Sequence, residues 1–60
     1  MLLYQGDQVH FVLNNTPTLG TSVWFELENN VRCVYVDIGN DECILVERAL
    51  LTPTRIRHAE

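Results

Sequence analysis

The chain has 60 residues, of which 47% are apolar, and sets eight carboxylates against four arginines and no lysine for a net charge of -4. That is one domain, residues 1–60, too apolar for disorder. With two cysteines it is too cysteine-poor for a disulfide scaffold, and it is too acidic for nucleic acid to be its main partner.

In chain order, Met1 to Tyr4 is a short apolar run that suits an edge strand or a cover for the core, and Gly6-Asp7 is turn chemistry. No charged-then-apolar leader opens the chain and no apolar run approaches the roughly 18 residues of a membrane span, so a soluble cytoplasmic protein is expected. From Gln8 the sequence alternates, with Val9, Phe11 and Leu13 on one side and Gln8, His10 and Val12 on the other, the signature of a half-buried strand. Asn14 to Thr18 then reads as a loop, because Pro17 cannot donate to a ladder.

Gly20 to Leu27 alternates again, Val23, Phe25 and Leu27 against Ser22, Trp24 and Glu26. Asn29-Asn30 suits a two-residue type I′ turn, in which both central residues need positive φ. A turn of that length pairs Glu28 with Val31, Glu26 with Cys33, Phe25 with Val34, Trp24 with Tyr35 and Val23 with Val36. Gly39-Asn40 is the next hairpin signal. It sets Ile38 against Asp41, Val36 against Cys43, Tyr35 against Ile44, Val34 against Leu45 and Cys33 against Val46. The predicted core face is then Val9, Phe11, Leu13, Val23, Phe25, Val34, Val36, Cys43 and Leu45.

After Val46 the alternation fades. Ala49-Leu50-Leu51 suits a single helical or 3₁₀ turn before Pro53, and Thr54 to Arg57 a last short strand with Ile56 inward. The predicted fold class is all-β, about five antiparallel strands with a short helical turn before the last. Gly6-Asp7-x-Val9, Gly20-x-x-Val23, Val34-x-Val36-Asp37-x-Gly39 and Val46-x-x-x-Leu50-x-x-Pro53 resemble the SH3-like small barrels of the Tudor and KOW kind. The resemblance runs from Gly6 to Pro53 and implies a small barrel that works by binding; fold does not fix function.

Two narrower resemblances bear on function. The plasmid-type dihydrofolate reductases share the barrel but use a Val-Gln-Ile-Tyr run where this chain has Cys43-Ile44-Leu45-Val46, so that activity is rejected. The carbon-storage type of translational regulator is similar locally at Met1-Leu2-Leu3, Gly6-Asp7-x-Val9, Asn30-Val31-Arg32 and Val46-Glu47-Arg48, with different spacing between the pieces, which points to RNA as a secondary reading.

The chemistry-bearing residues point away from catalysis. His10, His58, Cys33 and Cys43 are metal ligands in type but stand at no recognised ligand spacing, and the derived register sends Cys33 and Cys43 to opposite faces, which disfavours a disulfide. Asp37, Asp41 and Glu42 gather at one turn without an enclosed pocket to shift their pKa values. No enzyme activity, metal or cofactor is therefore expected. What the registers leave over is a second sheet face bearing Trp24, Tyr35 and Ile44 in one row, Cys33 and Val46 in the next, and His10 farther along. Tryptophan and tyrosine are enriched at binding hot spots, and a solvated sheet face should be polar. The expected function is a non-enzymatic interaction module or small regulator. Its partner would be another protein or a second copy of this chain, since a domain this small is marginal alone. The alternative is a nucleic-acid regulator using Arg48, Arg55 and Arg57.

Overall fold

A computed structural model describes residues 2–54. Five strands form one antiparallel sheet: β1 (Gln8–Leu13), β2 (Thr16–Glu28), β3 (Val31–Gly39), β4 (Glu42–Glu47) and β5 (Thr52–Pro53), with a 3₁₀ turn at Arg48–Leu50. The order across the sheet is β4-β3-β2-β1-β5. The all-β class and the turn before the last strand match the expectation. The closed barrel does not: the sheet is open, with β4 at one end and β5 at the other. The expected last strand begins earlier, at Thr52, and its continuation through Arg55, Ile56 and Arg57 lies outside the described residues.

The three hairpins share one piece of turn chemistry. Asn14 and Asn15 have φ of 51° and 64°, Asn29 and Asn30 51° and 66°, and Asn40 and Asp41 56° and 61°. Paired positive φ is the type I′ requirement, and asparagine and aspartate meet it at less cost than other side chains. The first of these turns replaces the expected five-residue loop. Leu13 pairs with Thr16, and Pro17 lies within β2 opposite Val12. Proline is tolerated there because this part of β2 is bonded only to β1, so no second neighbour lacks a donor.

β2 serves both limbs of the sheet. Thr16 to Thr21 pairs with β1, and Thr21 to Glu28 with β3. The bend between the limbs falls at Gly20, where a Cβ would overlap Val36 Cγ1 and lie 2.9 Å from Asp37 O. Only glycine allows that approach.

Val9, Phe11, Val34, Val36 and Leu51 form the buried cluster inside the bend, with Leu3, Leu13, Ile38, Ile44 and Val46 packed against it. The N-terminal segment is tied down by backbone and side chain together. Gly6 N–H donates to Ser22 O (2.8 Å), Ser22 N–H to Asp7 O (2.9 Å) and Asp7 N–H to Tyr4 O (3.0 Å). Tyr4 N–H donates to Asp7 Oδ2 at 2.9 Å. The buried Ser22 hydroxyl lies 2.8 Å from Tyr4 O and 3.1 Å from Asp7 O, so its one proton serves both carbonyls.

Candidate functional site

The register of β2 against β3 is as derived from Asn29-Asn30, from Glu28↔Val31 to Trp24↔Tyr35. Beyond Trp24 it departs. A bulge at Val23 lets Ser22 pair with Val36 and Thr21 with Asp37. Ser22, expected on the outer face, is thereby turned into the core, and Val23 stays half-buried in the bulge, outside the central cluster.

The third hairpin corrects the sequence reading most. The turn is Asn40-Asp41, with Gly39 opposite Glu42 and a bulge at Ile38. Asp37 Oδ1 accepts from Gly39 N–H at 2.9 Å and holds that bulge, while Gly39 supplies its φ of 98°. β4 is therefore displaced by one residue, and a one-residue slip exchanges its two faces. Val36 pairs with Ile44, Tyr35 with Leu45, Val34 with Val46 and Cys33 with Glu47. Ile44 and Val46, expected on the outer face, pack against the core. Cys43 and Leu45, expected in the core, are exposed. Phe25 keeps its predicted partner Val34 and its inner face but remains 41% exposed, because the inner face there opens into a groove of about 560 Å³ that Leu2, Leu3, Leu27, Arg32 and Arg48 also line.

The outer face of β2, β3 and β4 can now be written row by row: Thr21, Asp37 and Cys43; then Trp24, Tyr35 and Leu45; then Glu26, Cys33 and Glu47; and last Glu28 and Val31. Trp24 is 57% exposed and Leu45 42%. No described segment covers them, since Leu3 and Leu51 pack on the inner cluster instead. His10 is exposed on the same side of the sheet but on the other limb, opposite Leu19, which is also exposed. Leu45 and Leu19 belong to this surface and were missed; Asn40-Asp41 signals the turn, but Leu45 reaches the outer face only through the bulge at Ile38, which alternation does not announce.

Asp37 on one side and Glu26 and Glu47 on the other stand in the rows next to Trp24, Tyr35 and Leu45, with Glu28 one row farther, while Arg32 and Arg48 line the inner groove, whose rim Glu26 also reaches. Arg48 Nη1 donates to Leu51 O at 3.1 Å. Arg55 and Arg57, the other candidates for phosphate contact, lie outside the described residues.

Both cysteines are free, and in the corrected register both belong to the outer face. They are still not placed to bridge. Cys33 is level with Glu47, and Cys43 is four residues farther along β4, roughly 13 Å at strand rise. Cys33 is buried between Glu26 and Glu47, with its Sγ 3.6 Å from Val31 O. That burial, reinforced by the charges of Glu47, Glu28 and Glu26, pushes its thiol pKa up. Among the described residues no three His, Cys, Asp or Glu side chains converge to hold a metal ion. Nor is any helix there long and apolar enough to cross a membrane.

No protein-family model, no curated protein and no solved structure matches the chain.

Proposed function

We propose that this protein is a non-enzymatic interaction module, resembling the SH3-like folds in geometry, that binds a larger protein through the outer face of β2, β3 and β4. The observation that carries the reading is the row Trp24, Tyr35 and Leu45, an aromatic and aliphatic strip whose tryptophan is 57% exposed. A tryptophan held that open on a rigid sheet is a ready anchor, because it offers a large contact area with few rotamers to freeze. The carboxylates in the adjoining rows, Asp37, Glu26 and Glu47, favour a partner with an apolar depression rimmed by lysine or arginine. The SH3-like assignment rests on the strand order and on the 3₁₀ turn before the last strand, and it adds only a fold known for binding.

The test is affinity capture from the source extract, followed by reconstitution with the purified captured protein. Tryptophan fluorescence of the wild type should shift on titration with a basic partner, and the affinity should fall as salt is raised. Trp24→Ala should weaken binding by about 2 kcal/mol or more, the hot-spot range, while leaving the fold intact. Undiminished binding by a folded Trp24→Ala variant would remove the assignment. The nucleic-acid alternative rests on Arg48, which donates to Leu51 O, and on Arg55 and Arg57. A salt-dependent shift of labelled RNA, lost on changing Arg55 and Arg57, would favour it.

A further inference from the structure

The two edges of the sheet are not alike. Among the described residues β5 is two residues long and one of them is Pro53, so the described part of that edge is short and lacks a donor there. β4 is six residues, Glu-Cys-Ile-Leu-Val-Glu, with no proline and no lysine, and among the described residues no strand pairs with its outer side. Among the described residues it is an open edge, and its middle is apolar.

We infer that β4 is a self-recognition edge, on which a second copy of this chain pairs antiparallel about a two-fold axis through Leu45. A closed dimer of this type needs a two-fold axis normal to the sheet, and such an axis keeps inner face beside inner face and outer beside outer. Only registers that oppose residues of the same face are then allowed. With Leu45 opposite its own mate, Ile44 faces the partner's Val46 and Cys43 faces the partner's Glu47, so every apolar centre is matched and no two carboxylates meet. Glu42 of each copy comes level with the partner's Arg48, an opposite charge. Moving the axis to Ile44 would set Glu47 against the partner's Asp41, acid against acid. An axis through Val46 would set Leu45 against the partner's Glu47. The Leu45 register also joins the two outer rows end to end, Trp24, Tyr35 and Leu45 running into their mates across the axis. The pairing uses the backbone edge and does not depend on the partner-binding role of Trp24.

The experiment uses the full chain. Sedimentation equilibrium over a concentration series should move the mass from 6.9 kDa toward twice that value, and Leu45→Lys should hold it at the monomer. In a Cys33→Ala/Cys43→Ser background, whose fold is checked by thermal melting, Leu45→Cys should form a disulfide-linked dimer on mild oxidation. Ile44→Cys should not, because cross-strand Cβ atoms at a directly opposed pair are only about 5 Å apart and diagonal neighbours are farther. As a check that needs no variant, β4 amides should gain hydrogen-exchange protection as wild-type concentration rises. Trp24→Ala should remain dimeric, which separates this inference from the partner-binding one. A monomer at all concentrations, preferential cross-linking at position 44, or an undisturbed Leu45→Lys dimer would overturn it.

Discussion

The inner and outer faces of the β2–β3–β4 meander come from alternating residues of the same three strands, yet they do opposite jobs. On the inner face, Val34 and Val36 are sealed by Ile44, Val46, Leu51 and Leu3, and the described arginines stand at the rim. On the outer face one step away, Trp24, Tyr35 and Leu45 are nearly as apolar, but nothing described seals them and carboxylates stand in the adjoining rows. Apolar character alone therefore does not define the core in a chain this short. What decides is which face the N-terminal segment and the 3₁₀ turn can reach, and both are committed to the inner one.

The difference is broken most strongly by truncating one residue from each face. Val36→Ala should cost about 2 to 3 kcal/mol, because Val36 is fully buried and the cavity it leaves cannot collapse against Gly20. In a domain of this size that is a fall in Tm of ~10 °C or more. Leu45→Ala should cost less than about 1 kcal/mol at concentrations where the chain is monomeric, since its side chain is already 42% exposed. Equal losses in the two melts would mean that the outer face is sealed after all.

A smaller effect probes how the seal is attached. Ser22→Ala should cost about 1 to 2 kcal/mol, because Tyr4 O and Asp7 O would share no hydroxyl donor in a buried setting. Amide exchange should then show residues 2–7 opening ahead of the strands. An unchanged melt with unchanged exchange would show that the backbone bonds between Ser22, Gly6 and Asp7 are enough.

Where turn residues and alternation agreed, the sequence was legible. Asn29-Asn30 set five consecutive pairs, and Val9, Phe11, Val34 and Val36 fell in the core as the period required. The failures of register have one cause. Each bulge adds a residue that alternation does not count, at Val23 on β2 and at Ile38 on β3. The first exchanged Ser22 for Val23, and the second exchanged Ile44 and Val46 for Cys43 and Leu45. Tyr35 kept its place because it lies between the two bulges, whereas β4, beyond the second, was inverted as a whole. Ser22 was illegible for a further reason: its burial depends on carbonyls 15 and 18 residues away, and nothing local to it signals that contact.

The subtlest contrast lies within the outer face, between its two thiols. Cys43 is exposed beside the third turn, whereas Cys33 is buried between two glutamates. A raised thiol pKa means that the folded state holds its proton more tightly than the unfolded chain does. Below the ordinary thiol pKa of about 9 both states are protonated and the group leaves stability unchanged. As pH rises past that value the unfolded chain ionises first, so stability should decline from there until the folded thiol also ionises. Denaturant melts between neutral pH and the alkaline range should show that decline, and Cys33→Ala should flatten it. Alkylation at neutral pH should follow access, Cys43 reacting more than about tenfold faster than Cys33, because Cys43 is exposed whereas Cys33 is buried with its thiol pKa pushed up. Equal rates in the folded protein would mean that the glutamates do not shield Cys33, and the outer face would then carry its charge farther from its centre than the register places it.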